Sequence, residues 1–361
     1  MNILIAGGGT GGHLFPGISI AEAFMARDPK NRVLFVSDGR PLEISVLSKK
    51  GFEHECITVR GIKGAGARDQ MTSLLKIPVG IFESVRIIRR FRPDLVIGVG
   101  SYSAGPVVIG AWLSGSKIAL QEQNILPGIT NRILSPFADR IYVSFGNSEF
   151  RIRNSKKVRV TGNPIRKEIQ NLKFETRNSD SPFTVLIIGG SQGARSVNLA
   201  VMEAIPYIKD KDRFFFIHQT RVEDEKKVKD AYIKEGLSCT VRPFFDDMAR
   251  QYQKADLLIC RAGATTVAEI TAIGKGAIFI PYPFAANNHQ VLNAQTLTNA
   301  GAAEMILQKD LSGRQLAERI EYYASNPQAL ETMASRAKRL GRPDAAEALV
   351  DDCYQLVMPA L

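Results

Sequence analysis

Residues Ile3–Pro16 read Ile-Leu-Ile-Ala-Gly-Gly-Gly-Thr-Gly-Gly-His-Leu-Phe-Pro, and residues Thr184–Ser196 read Thr-Val-Leu-Ile-Ile-Gly-Gly-Ser-Gln-Gly-Ala-Arg-Ser. Each is an apolar strand that runs into a glycine loop and then a helix. Such a turn aims bare backbone N–H groups at one spot, the natural seat of a phosphate. The second copy lies about half a chain after the first. The repetition is therefore at domain scale, and predicts two Rossmann-like halves.

The pattern between the loops supports this. Apolar runs at Asn2–Ala6, Arg32–Ser37, Cys56–Val59, Asp94–Val99, Lys117–Leu120 and Arg140–Ser144 alternate with helical segments such as Pro16–Ala26 and Ser84–Phe91. A second series follows a polar stretch at Lys167–Pro182, read as a helix plus linker. It comprises Thr184–Ile188, Arg213–Ile217, Thr240–Pro243, Asp256–Cys260, Ala277–Pro281 and Ala303–Ile306. Strands alternating with helices predict βαβ units and parallel sheets. From Ser312 onward the pattern is helical.

Composition bounds the rest. The 361 residues suffice for two full cores, with 45% hydrophobic and 23% charged residues. Cys56, Cys239, Cys260 and Cys353 are scattered, which argues against a disulfide framework or zinc site and fits a reducing compartment. Met1-Asn2 leads straight into a core strand, so no signal peptide is expected. Leu95–Ser116 carries no charge but contains Gly-Ser-Tyr-Ser-Ala-Gly-Pro, so it reads as strand, loop and helix rather than a membrane span. The net charge of +11 calls for an acidic partner or none. No nucleic-acid motif accompanies it.

Gly7–Gly12 formally matches the dinucleotide fingerprint, with Asp38 where a ribose-binding acid would sit. A strand–helix crossing without ligand is the plainer alternative. A Walker loop is excluded, because His13 stands where its lysine should be. His13 closes the loop and is either a general base or a brace bonded to backbone. In the second loop, Ser191 adds a hydroxyl to the anion nest or caps the helix. A third loop, Arg261–Glu269, follows a strand end. There Glu269 either binds a ribose diol or forms a capping box with Thr266. Polar loops at Gln121–Asn124, Gly162–Arg166 and Asn287–Asn293 also lie at strand ends. Arg166 suits phosphate, and Asn124 and Gln290 suit sugar hydroxyls. No convincing metal-ligand spacing appears among the histidines or the Asp-x-Asp at Asp210–Asp212.

Together these motifs are familiar. Gly8–Gly17, Glu122-Gln-Asn124, Gly162–Arg166, Gly189–Ala194, Arg261–Ala264 with Glu269, and His289-Gln290 with Asn293-Ala294 occur in this order. The chain resembles the bacterial peptidoglycan N-acetylglucosaminyltransferases that convert lipid I to lipid II. It departs from them at Gln121, where the family often has histidine, and at Ser101 and Ala104.

The resemblance implies two Rossmann-like domains with a cleft between them, the GT-B glycosyltransferase fold. The N-terminal domain would span 1–164, with a C-terminal helix at 343–361 crossing back onto it. The UDP-sugar domain would span 165–342. The donor would be UDP-N-acetylglucosamine and the acceptor lipid I, with inversion and no cofactor. Thr10, Gly11, Gly12, Asn124, Arg166, Ser191, Phe245, Ala264, Thr265, Thr266, Val267, Ala268, Glu269 and Gln290 would bind the donor. Phe245 would lie at the uracil, Glu269 at the ribose and Gln290 at the sugar. His13 would be the catalytic base, with the first loop facing the acceptor's diphosphate. The expected location is the cytoplasmic face of the inner membrane, bound peripherally to anionic lipid. Lys63, Arg68, Lys76, Arg86, Arg89, Arg90 and Arg92, interspersed with Met71, Leu74, Leu75, Ile77, Ile81, Phe82 and Phe91, would supply the docking patch. An amphipathic helix packed on the sheet is the alternative.

Two rivals remain open at this stage. One is a UDP-sugar transferase of the same fold acting on another lipid. The other is a nucleotide-binding regulator without catalysis.

Overall fold

The computed structural model describes residues 1–59, 67–146, 155–172, 181–190 and 193–358. For residues 67–75 and 155 it describes the backbone alone. Ser191, Lys63 and the middle of the Lys167–Pro182 stretch lie outside the described residues, as do the side chains of Arg68, Met71, Leu74 and Leu75.

The chain divides into two units. Residues 1–167 and 342–361 form the first, and residues 168–341 the second. The first unit carries β1 (Asn2–Ala6), α1 (Gly11–Arg27), β2 (Arg32–Ser37), α2 (Pro41–Lys49), β3 (Glu53–Cys56), α3 (Ala67–Phe91), β4 (Leu95–Gly98) and α4 (Ala104–Leu113). It continues with β5 (Lys117–Glu122), α5 (Ile129–Leu134), β6 (Arg140–Val143) and β7 (Val158–Val160). Helix α6 (Lys167–Gln170) lies at the division. The second unit carries β8 (Phe183–Ile188), α7 (Arg195–Ala204), β9 (Phe214–Gln219), α8 (Glu225–Lys234), β10 (Ser238–Arg242), α9 (Met248–Lys254), β11 (Leu257–Cys260) and α10 (Ala264–Ile273). Then come β12 (Gly276–Phe279), α11 (His289–Asn299), β13 (Glu304–Met305), α12 (Gly313–Ser325) and α13 (Pro327–Leu340). Helix α14 (Ala345–Val357) belongs to the first unit.

Both sheets are parallel. Their orders are β3-β2-β1-β4-β5-β6-β7 and β10-β9-β8-β11-β12-β13. In each, the strand order reverses beside the strand that feeds the glycine loop, between β1 and β4 and between β8 and β11. Open α/β sheets bind ligands at the carboxyl ends of the strands flanking such a reversal.

Parallel sheets must be covered on both faces, and β1 shows how. Successive side chains alternate faces. Ile3 and Ile5 join Leu14 and Ile18 of α1 and Leu349 and Val350 of α14. Leu4 and Ala6 join Ile87 and Ile88 of α3 and Val107 and Val108 of α4. All four β1 residues are fully buried, and each large aliphatic side chain contributes about 2 kcal/mol. Helix α14 is fastened by polar contacts too. Asn31 donates to the Tyr354 hydroxyl at 2.8 Å, while Asp352 accepts from Tyr142 at 2.9 Å and from Arg140 at 3.1 Å. The uncharged segment Leu95–Ser116 forms β4 and α4, and no helix among the described residues is long and apolar enough to cross a membrane.

Candidate functional site

In the first unit, the turn after β1 is made by Gly7 at φ +117° and Gly9 at φ +86°, conformations that a side chain strongly disfavours. Helix α1 begins at Gly11 with Thr10 as an extended N-cap. The expected row of bare N–H groups is not found at the head of this loop. The Gly8 N–H donates to Ser101 Oγ at 3.3 Å, and the Gly9 N–H donates to the Glu43 carboxylate. Glu43 occupies the space in front of Gly8, and Asp38 pairs with Arg40 at 3.0 Å. The dinucleotide alternative thus loses its phosphate seat at Gly8 and Gly9.

His13 sits in the first turn of α1. Its Nδ1 lies 2.9 Å from the Val99 carbonyl oxygen. A carbonyl only accepts, so Nδ1 carries a hydrogen, and in the neutral ring the lone pair falls on Nε2. Brace and base, alternatives on sequence grounds, are therefore compatible: one ring nitrogen braces while the other has the lone pair a base needs. Gly100 makes room for the ring, because a Cβ there would stand 2.8 Å from Nδ1. Gln123, buried, donates to the same Val99 carbonyl at 2.8 Å and also to Gln121, which donates to Asn163 at 3.1 Å. A buried amide chain thus runs from the Gly162–Arg166 loop to the carbonyl that holds His13.

Glu122, also buried, accepts from the Asn124 N–H at 3.0 Å, the Gly128 N–H at 2.9 Å and Asn131 at 2.9 Å. It shapes the loop that carries Asn124. The Arg166 guanidinium lies 5.0 Å from the Phe15 ring centroid, two residues beyond His13. His13, Asn124 and Arg166 therefore all belong to the first unit, with Thr10, Gly11 and Gly12.

The second unit builds a different environment. Gly190 and Gly193 take φ +86° and +67°, and the Gly193 N–H donates to the Gly190 carbonyl at 2.9 Å. A Cβ on Gly193 would fall on the Arg221 stem. Arg261, at the end of β11, is buried and donates to the Ile280 carbonyl at 2.9 Å and the Pro281 carbonyl at 3.0 Å. It also donates to Ser196 at 2.6 Å and Gln308 at 2.8 Å. Every one of these acceptors is neutral, and burial pulls the guanidinium pKa down. This cation ties the start of α7 to the loop after β12.

Helix α10 starts at Ala264 with Gly263 as N-cap, and Thr266 lies inside the first turn. The capping box proposed for Thr266 and Glu269 is therefore not formed. Ala264, Val267 and Glu269 are buried, while Thr265, Thr266 and Ala268 are partly exposed. Glu269 accepts from the Tyr252 hydroxyl at 3.0 Å. Asn293 donates to the Ala262 carbonyl at 3.2 Å, joining α11 to this loop. The Gln290 side-chain oxygen accepts from the Tyr282 N–H at 2.9 Å, a contact that orients the amide and its NH2 donors. The Phe245 side chain is only 7% exposed and its neighbour Phe244 is 46% exposed. An aromatic face at this loop belongs to Phe244, which was not singled out from the sequence. Nor were Glu43 and Tyr252, whose roles rest on partners 34 and 17 residues away. Among the described residues, no group of His, Cys, Asp and Glu is arranged to hold a metal ion.

Both units match a known family. Residues 3–143 match the glycosyltransferase family 28 N-terminal domain and residues 184–349 its C-terminal domain. The UDP-N-acetylglucosamine–N-acetylmuramyl-(pentapeptide) pyrophosphoryl-undecaprenol N-acetylglucosamine transferase of Syntrophus aciditrophicus is 48% identical, over 99% of both chains. The Myxococcus xanthus protein of the same name is 43% identical, over 99% of this chain and 94% of its own. The crystal structure of Acinetobacter baumannii MurG superposes with a TM-score of 0.77 at 29% identity, covering 97% of this chain and 98% of its own. The chain belongs to the family of UDP-N-acetylglucosamine–N-acetylmuramyl-(pentapeptide) pyrophosphoryl-undecaprenol N-acetylglucosamine transferases.

Proposed function

We propose that this chain moves N-acetylglucosamine from UDP-N-acetylglucosamine to the C4 hydroxyl of undecaprenyl-diphosphate-linked N-acetylmuramyl-pentapeptide, with His13 as the base. The hydroxyl oxygen attacks the anomeric carbon and the bond to the β-phosphate breaks. The proton passes to His13 Nε2 and the electron pair leaves with UDP. One displacement inverts the anomeric centre. The observation that carries this reading is the Nδ1 bond to Val99, which fixes the tautomer a base requires.

The donor falls to the second unit. Charge grows on the departing β-phosphate, and the N-termini of α7 and α10 aim fixed dipoles where such charge develops. Arg261 adds a cation whose acceptors among the described residues are all neutral. Glu269, oriented by Tyr252, takes the ribose; Gln290 takes the sugar through its NH2; Ala264–Ala268 supply backbone. Ser191 completes this set by sequence position. In the first unit, Thr10–Gly12, Asn124 and Arg166 lie near the reacting end, and the start of α1 faces the acceptor's diphosphate.

UDP release from UDP-N-acetylglucosamine, measured with and without a lipid I analogue and repeated in EDTA, tests the reading. Acceptor-dependent release that persists in EDTA is expected. Release that ignores the acceptor overturns it.

We also propose that the first unit docks on anionic lipid at the cytoplasmic face of the inner membrane. Val79 and Phe82 of α3, Trp112 and Leu113 of α4, and Ile129 and Ile133 of α5 are all exposed. Helix α3 packs on α4, and α4 on α5, so these side chains sit on neighbouring helices. The Arg86 guanidinium lies 6.0 Å from the Phe82 ring centroid. Arg90, one of the bases expected to meet lipid, is instead paired with Glu55. Co-sedimentation with phosphatidylglycerol vesicles should fall when Phe82 and Trp112 are changed to serine. Unchanged binding removes this face.

A further inference from the structure

The first glycine loop already holds an anion, and that anion is part of the chain. Glu43 lies in the first turn of α2 and is 1% exposed. One carboxylate oxygen accepts from the Gly9 N–H. The other accepts from the Ser37 hydroxyl at 2.9 Å and the Arg40 N–H at 3.1 Å. Glycine-loop amide, helix-start amide and hydroxyl are the donors that usually converge on a phosphate. Gly8 has no side chain because a Cβ there would fall on this carboxylate.

Among the described residues, no lysine or arginine side chain pairs with Glu43. The nearby Arg40 guanidinium turns instead to Asp38 at 3.0 Å and to the Gly9 carbonyl at 3.2 Å. A buried carboxylate needs donors to stay charged, and here the glycine loop supplies part of the set. Loop and carboxylate therefore hold each other. Two residues after Gly9, helix α1 begins and presents His13.

We propose that Glu43 is a positioning and specificity residue. It fills the anion seat of the first glycine loop, closes Gly8–Gly9 to a nucleotide diphosphate, and sets the loop from which His13 projects. Both units carry the same strand–glycine–helix pattern, and a nucleotide diphosphate fits either by pattern alone. A fixed negative charge in one seat rejects the wrong occupant by like-charge repulsion. The proposal rests on the transferase reading above.

The isosteric Glu43→Gln removes the charge and keeps the shape. We expect its kcat to fall at least tenfold with donor KM within twofold of wild type. Glu43→Ala empties the seat. Formate at tens of millimolar should restore at least threefold of the lost rate and raise its Tm above that in chloride of equal ionic strength; neutral formamide should do neither. Glu43→Gln with more than half the wild-type kcat overturns the proposal. So does a loss matched by an equal rise in donor KM, or a Glu43→Ala protein that formate and chloride stabilise alike. Should Glu43→Ala not fold, the Gly9 amide proton of Glu43→Gln is compared with wild type by NMR. An upfield move is expected, and an unmoved resonance overturns the contact. If the wild-type chain forms no disaccharide in the same assay, the transferase reading has failed, while the Tm and NMR arms still decide the role of Glu43.

Discussion

The two glycine loops share a sequence pattern and differ in the side chains that meet them. In the first unit, Glu43 accepts the Gly9 N–H, and Ser101 takes the Gly8 N–H. In the second unit, the Arg221 stem lies against Gly193, and buried Arg261 grips Ser196 one residue after α7 begins. A buried carboxylate fills the first loop, with the Arg40 guanidinium on the Gly9 carbonyl at 3.2 Å; beside the second, the Arg261 guanidinium holds Ser196 while the Arg221 guanidinium is paired with Glu223. A glycine loop is thus an anion seat only as far as its neighbours leave it one. The proposed reading gives the donor diphosphate to the second unit and the base to the first, where Glu43 already fills the head of the loop.

The largest effect that can break this comparison is on the base. His13→Ala should lower kcat by about 10²–10⁴-fold, the usual contribution of a positioned proton acceptor. UDP affinity, a property assigned to the other unit, should stay unchanged by calorimetry. Turnover within tenfold of wild type would remove His13 from the chemistry.

Next comes the cation of the second unit. Arg261→Met keeps much of the stem but strands the Ile280 and Pro281 carbonyls and Gln308. Buried acceptors left unpaired should cost this unit about 3 kcal/mol. Amide exchange in β12 should accelerate accordingly, and UDP should bind about tenfold more weakly. Unaltered UDP binding would mean that Arg261 is only a brace.

A smaller effect separates the units by pH. His218 of β9 is fully buried between the Tyr232 hydroxyl at 3.2 Å and Asn198 at 3.1 Å, and burial lowers its pKa to about 3. An unfolded histidine titrates near 6.5. Between these values the unfolded state binds the extra proton, so stability rises with pH there and is lost as pH falls. From pH 7 to pH 5 the loss should be about 2 kcal/mol in the second unit. Urea unfolding at the two pH values checks this, and His218→Phe should flatten the slope. Because Asn198 lies in α7, the acid-sensitive contact is in the helix that the second glycine loop starts.

How far the sequence carries this comparison depends on what each feature rests on. Strands β1 and β2 coincide with their apolar runs because central strands are buried on both faces and read as continuous hydrophobic stretches. Edge strands escape. Strand β3 is Glu-His-Glu-Cys at 53–56, paired to β2 through its backbone, whereas the apolar pattern points to 56–59. Strand β7 is three residues long and has no readable period. Helix α1 begins at Gly11, five residues ahead of Pro16, because glycines conceal a start that tertiary contacts impose. The site divides in the same way. His13 and Glu269 stand out by residue type within a motif. The Val99 carbonyl 86 residues away and the Glu43 carboxylate 34 residues from Gly9 come only from folding. Such partners decide whether a loop is open or filled, so the contrast between the two loops is invisible in their own residues.

The finest test asks whether His13 depends on space as well as on its bond. Gly100 takes φ +97°, and a Cβ there would stand 2.8 Å from His13 Nδ1 and 2.9 Å from Cε1. The crowded atom is the one bonded to the Val99 carbonyl, so relief of the contact moves Nδ1 and disturbs that bond. Gly100→Ala should therefore lower kcat by about tenfold, equivalent to about 1.4 kcal/mol in the barrier. Donor KM should not move, since no donor group assigned to the second unit is touched. Gly51, in the turn between α2 and β3, offers the control: it also has a positive φ, +74°, and a Cβ there meets nothing within 4 Å. If both alanine variants lose kcat alike with donor KM unmoved, backbone strain accounts for the loss. If only Gly100→Ala does, the space beside His13 is what the first glycine loop and β4 were shaped to keep.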